Sequence, residues 1–98
     1  MPIHIAVIGK RQEIKAVLMR LINQNEAFTG TAADTFDELV DDNRIDQVNL
    51  VLLSAGLTAE EEIKIKERIL SEYPHIKVIP HYGGGSGLLM NEINEALR

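Results

Sequence analysis

Three short stretches of the sequence carry residue types that could bind or transform a small ligand. Lysine and arginine side chains, together with glycine amides near a helix N-terminus, are groups that hold small anions. Serine and histidine add hydroxyl and imidazole groups. The candidate anion-binding residues in these stretches are Lys10, Arg11, Ser54, His81, Gly83, Gly84, Gly85 and Ser86.

The glycine run between Gly83 and Gly87 has two interpretations. It does not match the dinucleotide fingerprint, which would need glycine at Leu88, or the phosphate loop, which would need a lysine after its last glycine. Glycine also permits the positive φ angles of a tight turn between a strand and a helix, and this steric interpretation is favoured. Lys10 and Arg11 likewise have an alternative as the start of a solvated helix face.

Catalysis and metal binding have weaker support. Ser54 and His81 could act as nucleophile and base, but no residue with an obvious orienting role accompanies them, so we predict no catalytic residue and favour a protein that is not an enzyme. Asp34, Asp37 and Asp41 fall on one side of a short helix without the alternating ligands of a calcium loop. We predict a solvated acidic face, no metal and no cofactor.

Composition limits the classes of partner. The chain has 98 residues, 45% of them apolar, no cysteine and a net charge of -5. This length fits one domain over residues 1–98, and the missing cysteines exclude disulfides and thiolate sites. The negative charge repels phosphate backbones and anionic lipids, so we predict no nucleic-acid or membrane partner. The N-terminus lacks a signal-type segment, which leads us to expect a cytoplasmic protein.

Strand and helix patterns alternate four times along the chain. Apolar runs predict strands at 3–8, 27–33, 48–53 and 76–79. Helical spacing predicts a helix at about 11–23, a short one after Thr35, one from Thr58 to about Tyr73 and a last one after Ser86. Thr35 with Glu38 and Thr58 with Glu61 have the spacing of capping boxes. The apolar set of the third helix is Ile63, Ile65, Ile69 and Leu70.

Short connections between alternating elements favour parallel strands joined by right-handed crossovers. We therefore predict an α/β fold: a three-layer α/β/α open sheet of four parallel strands in the order 2-1-3-4, flavodoxin-like. Pro80 is typical of a strand end at a sheet edge. An apolar edge bearing Val78 and Ile79 predicts a homodimer through strand 4 or the last helix; the alternative is that the glycine loop covers this edge.

The stretch "NLVLLSAGLTAEEEIKIKERILSEYPHIKVI" resembles the receiver domain of two-component response regulators. More faintly, the resemblance extends over residues 3–79. The ending "VIPHYGGGSGLLMNEINEAL" is similar to the B component of the lactose/cellobiose phosphotransferase system, although the phosphorylated cysteine of that family is replaced by "GKRQ". Both resemblances imply the same α/β architecture.

The functional residues of a receiver are replaced in this chain. The acidic pair that holds magnesium after strand 1 corresponds to Gly9 and Lys10, and the phosphoacceptor aspartate corresponds to Ser54. The serine or threonine after strand 4 falls near His81 or Tyr82. The fifth strand with its lysine is missing, because the glycine run leads almost at once into the last helix. The resemblance thus implies a receiver fold without phosphoryl-transfer chemistry.

Two functional hypotheses follow. The first is a non-catalytic protein-interaction or regulatory module, pseudo-receiver-like, that acts through its surface. The second is a small-anion or nucleotide-binding domain that uses the glycine-rich loop 83–87 with Lys10 and Arg11.

Overall fold

The structure, a computed structural model, describes residues 3–81 and 86–97, and the side chains of 3–81 and 89–97. Its elements in chain order are β1 (Ile3–Ile8), α1 (Gln12–Asn23), β2 (Phe28–Ala33), α2 (Phe36–Asp41), a 3-10 turn (Ile45–Gln47), β3 (Leu50–Leu53), α3 (Ala59–Glu72), β4 (Lys77–Pro80) and α4 (Ser86–Ala96). None of the helices in these described residues is long and apolar enough to cross a membrane.

The strands form one parallel sheet in the order β2-β1-β3-β4. This confirms the predicted fold class and strand order. β3 is shorter than predicted because Val48 donates its backbone N–H to the Ile45 carbonyl and closes the 3-10 turn. The strand therefore begins only at Leu50.

Helices cover both faces of the sheet, as predicted. One apolar cluster joins Ala6, Ile8, Val51 and Leu53 to α2 and α3. The opposite cluster joins the alternate residues of β1 and β3 to Leu18 and Ile22 of α1 and to Leu89 and Ile93 of α4. Side chains from Ile5 to Ile8 and from Leu50 to Leu53 are fully buried, because β1 and β3 are the two inner strands. Each large aliphatic side chain buried in this way stabilises the fold by about 1.5–3 kcal/mol.

Only two of the four residues in the apolar set of α3 are buried against the sheet. Ile65 and Ile69 are buried, whereas Ile63 is 55% and Leu70 77% exposed. Successive residues of an α-helix are separated by about 100°, so Leu70 points about 140° away from Ile65. Two of the four aliphatic side chains therefore face away from the sheet.

Both predicted capping positions begin a helix. At α3 the Thr58 side chain accepts from the Glu61 N–H and the Glu61 carboxylate accepts from the Thr58 N–H, which completes the capping box. At α2 the Thr35 hydroxyl accepts from the Glu38 N–H. The Glu38 carboxylate accepts from the N–H of Asp34, one residue too early to complete a reciprocal box.

Candidate functional site

The candidate site lies at the carboxyl ends of β1 and β3, where the strand order reverses. Ligands bind at this point in open parallel sheets. Ile8 and Leu53 are paired at the last register position of these strands, so the next residues, Gly9 and Ser54, lie side by side. His81 follows β4 and donates its backbone N–H to the Leu53 carbonyl at 2.8 Å. Gly9, Ser54 and His81 thus each follow one of three adjacent strands of the sheet.

The Ser54 side chain is turned into the protein. It is 1% exposed, and its Oγ donates a hydrogen bond to the Ile8 carbonyl at 3.2 Å. The hydroxyl therefore satisfies a carbonyl of the neighbouring strand. This arrangement gives no support to a nucleophilic role for Ser54.

Gly9 is the neighbour that makes room for this serine. A Cβ atom added at Gly9 would lie 2.0 Å from Ser54 Oγ and 3.0 Å from the Ala55 carbonyl oxygen. No pair of non-bonded heavy atoms tolerates the shorter distance, so any side chain at residue 9 would displace Ser54. The Ser54 side chain, which follows β3, therefore occupies the space that a side chain at residue 9 would need.

Lys10 ties the loop after β1 to the loop after β3. Its Nζ lies 2.6 Å from Glu61 Oε2 at the start of α3, and its backbone N–H donates to the Ala55 carbonyl at 3.3 Å. The hydrogen bond from Lys10 is the main cause that lowers the pKa of Glu61 from its ordinary value of 4.5. Gly56 has a φ of 99°, and a Cβ atom added to it would lie 3.1 Å from Lys10 Cβ, so the backbone at Gly56 passes close to Lys10.

Arg11 has a looser contact. Its Nη2 lies 3.4 Å from Glu13 Oε1, and both side chains are largely exposed. Lys10 and Arg11, the two cations of the anion-binding hypothesis, are therefore both paired with carboxylates of the same chain. An anion would have to compete with Glu61 and Glu13 for them.

His81 joins the end of β4 to the last helix. Its ring is 4% exposed, and Nδ1 lies 2.6 Å from Glu92 Oε1 of α4. A histidine–carboxylate pair of this kind holds one ring orientation. The sequence analysis missed Glu92, since nothing in the local pattern of α4 marks it as the partner of a residue eleven positions earlier.

Part of the predicted site is not described. Gly83, Gly84 and Gly85 lie outside the described residues, as does the Ser86 side chain. Ser86 is the first residue of α4. The role of the glycine run therefore stays a prediction.

A second polar cluster, which the sequence analysis missed, lies at the carboxyl end of β2. Lys15 of α1 has a side chain only 6% exposed, and its Nζ contacts Asp34 Oδ1. Gln12 Nε2 donates to the same oxygen at 2.9 Å. The bond from Lys15 is the largest cause that holds the pKa of Asp34 below its ordinary value of 3.8.

The acidic face of α2 is more than a solvated surface. Asp37 accepts from Arg68 Nη1 of α3 at 2.5 Å, and the Arg68 guanidinium lies 5.1 Å from the centre of the Phe36 ring. The hydrogen bond from Asp37 is the largest cause that raises the pKa of Arg68. Within residues 3–81 and 86–97, no three histidine or acidic side chains come close enough to hold a metal ion.

Comparison with known proteins gives one strong structural match. No family model matches the sequence, and no curated protein matches it either. A crystal structure of the signal receiver domain of an HD domain-containing protein from Pseudomonas fluorescens Pf-5 superposes with a TM-score of 0.82 at 17% identity, covering 99% of this chain and 95% of that chain. The similarity to the phosphotransferase B component is not confirmed. At this identity the match shows the fold alone: the chain has the fold of a signal receiver domain.

Proposed function

We propose that this chain is a regulatory module with a receiver fold that acts by protein contact, without accepting a phosphoryl group. The observation that carries the proposal is the arrangement of Ser54. The residue at the acceptor position is a serine that is 1% exposed and hydrogen-bonded to the Ile8 carbonyl. A phosphoryl donor needs an exposed, ionised acceptor, and this side chain is neither.

The charges around this position also support the proposal. Phosphoryl transfer relies on a magnesium ion that neutralises the developing charge, and magnesium prefers carboxylate oxygens. At the end of β1 the chain has Gly9, whose side-chain space is filled by Ser54, followed by a lysine. The Lys10 ammonium repels a divalent cation, and its partner Glu61 is already used in an ion pair.

The loops at the site favour a fixed surface over a switch. A backbone hydrogen bond and an ion pair from Lys10, together with the close approach of Gly56, hold the β1–α1 and β3–α3 loops together. A phosphorylation switch needs two arrangements of such loops with different ligand contacts. The proposed module presents one arrangement to its partner.

The test is incubation with acetyl phosphate and Mg²⁺, followed by intact-mass spectrometry, with an active receiver domain as positive control. We expect the positive control to gain a phosphoryl group and this chain to keep its mass. Beryllium fluoride with Mg²⁺, which mimics a bound phosphoryl group, is expected to leave the melting temperature unchanged. A phosphoryl group located by peptide mapping on Ser54 or Asp34 would refute the proposal.

A further inference from the structure

The outer edge of β4 has an unusual distribution of main-chain groups. In a parallel sheet, alternate residues of a strand point their N–H and C=O groups to the same neighbour. Lys77 and His81 donate their N–H groups to β3, so Val78 and Pro80 point their main-chain groups away from it. Proline has no N–H, which leaves Val78 as the residue of β4 with both an outward donor and an outward acceptor.

The end of the strand limits pairing further. Ile76, the preceding outward residue, donates its N–H to the Tyr73 carbonyl at 2.9 Å. A long partner strand would therefore find no donor opposite its carbonyl groups on either side of Val78. An antiparallel copy of the same strand, related by a twofold axis at Val78, needs only the two bonds that Val78 and its counterpart can exchange.

We propose that the β4 edge is a dimer interface, and that its partner is a second copy of this chain paired antiparallel through Val78. This inference rests on the proposed function, because it names the contact through which the module acts. It also commits to one of the two surfaces that the sequence suggested for a homodimer. The side chains on both faces of the edge favour it.

On the face that α4 covers, the charges are complementary. Lys77 and Ile79 point to this face, and in the proposed register Lys77 lies opposite the Ile79 position of the second copy. A groove of about 490 Å³ opens beside that position, lined by Ile79, Pro80, Asn91, Glu92, Glu95 and Ala96. The exposed Lys77 side chain can lay its methylene groups along the apolar floor and bring its ammonium to the acidic side of the groove, formed by Glu92, which also pairs with His81, and by Glu95. The twofold axis repeats this contact.

On the opposite face, the two copies of α3 come within packing distance. Because α3 is the crossover that connects β3 to its neighbour β4, we place it over these two strands; Ile65, Ile69 and Val78 meet in the apolar cluster on this face. Neighbouring strands are about 4.8 Å apart, and the twofold axis runs midway between the two β4 strands. A helix centred between β3 and β4 therefore lies about 4.8 Å from this axis, which puts the two copies of α3 about 9.6 Å apart. Helices pack at interaxial distances of 8–10 Å.

Leu70 lies on the side of α3 that this packing would cover. Arg68 points towards α2, where it binds Asp37. Leu70 is two residues further along and therefore about 200° around the helix, on the side of the β4 edge. Its 77% exposure is large for a leucine, and contact with the second copy of α3 would bury it.

The experiment is sedimentation velocity over a concentration series from about 1 μM to about 500 μM, the range in which small interfaces dissociate. The variants are Leu70→Glu and Lys77→Glu, both at exposed positions, where substitutions usually change stability little. Val17→Glu is the matched control, because Val17 is 45% exposed on α1, away from the β4 edge. The charge-swap variant combines Lys77→Glu with Glu95→Lys.

We expect the wild-type chain and Val17→Glu to form dimers with the same dissociation constant. Leu70→Glu and Lys77→Glu should each weaken the dimer by about tenfold or more, and the charge swap should recover most of the loss from Lys77→Glu. A wild type that stays monomeric over the whole series, or a dimer that neither edge variant weakens, would overturn the inference. Neither result bears on phosphoryl transfer, so this failure is separable from that of the proposed function.

Discussion

The contact between Gly9 and Ser54 shows how two small residues determine which side chains can lie at the carboxyl ends of β1 and β3. Glycine leaves the space into which the serine hydroxyl turns, and the hydroxyl in turn donates to the Ile8 carbonyl. An acidic side chain could not occupy residue 9 while Ser54 keeps this position. The two residues therefore act as a pair, and replacing one changes what the other can do.

Gly9→Ala tests this pairing. We expect the substitution to lower the free energy of unfolding by about 1–3 kcal/mol, because the added methyl group displaces Ser54 Oγ and the loop around Ala55. The loss should be smaller in a Ser54→Ala background, where the hydroxyl has been removed. Urea denaturation of the four chains of this double-mutant cycle gives the coupling. Equal losses in both backgrounds would mean that the two residues do not interact.

At the scale of elements, polar pairs join the helices to the sheet. Lys15 ties α1 to the end of β2 through Asp34, Arg68 ties α3 to α2 through Asp37, and His81 ties β4 to α4 through Glu92. Each pair lies near the carboxyl ends of the strands, where the loops begin. In addition to the apolar packing, these pairs hold each helix against a neighbouring element by a polar side-chain contact.

The Lys15–Asp34 pair predicts a dependence of stability on pH. The pKa of Asp34 is lower in the folded chain than its ordinary value of 3.8, so its contribution is present above that value and is lost as the pH falls through the folded pKa. Below about pH 4 the urea concentration at the unfolding midpoint should decrease with falling pH, and we expect this decrease to be smaller in Asp34→Asn than in the wild type. Asp41→Asn, at an exposed position of the same acidic face, is the control and should leave the acid limb as steep as in the wild type.

At the scale of the whole molecule, the net charge and the β4 edge are the two features on which the proposed protein contact is based. A net charge of -5 disfavours the binding of polyanions, and Lys10 and Arg11 each form an ion pair with a carboxylate of the same chain. The edge of β4 offers few main-chain groups, which suits the short, self-complementary contact of the proposed dimer better than a long added strand. Contact with a protein surface agrees with both features.

The charge distribution also predicts how the chain responds to phosphate compounds. Glu61 and Glu13 already form ion pairs with Lys10 and Arg11. We therefore expect inorganic phosphate and nucleotides to leave the melting temperature unchanged at low ionic strength. Thermal denaturation in the presence of each of these compounds measures the change in melting temperature. A stabilisation that disappears in Lys10→Ala would instead support the anion-binding hypothesis.

The fold could be predicted from the sequence because its determinants are local. The apolar runs at Ile3–Ile8 and Leu50–Leu53, the caps at Thr35 and Thr58, and the proline that ends β4 each depend on a few neighbouring residues. Their alternation then leaves few topologies, and the predicted strand order is the one observed. The absence of carboxylates after β1 and β3 is likewise evident in the sequence itself.

Tertiary structure alone decided which residues meet. Ser54 fills the space beside Gly9, and Lys15 reaches Asp34, although these partners are far apart in the chain. The two faces of α3 could not be separated from the sequence, because Leu70 and Ile65 are equally apolar and only the sheet position determines which is buried. The spacing of apolar residues predicts the conformation of a segment, whereas burial and ion pairing depend on side chains that other elements bring near it.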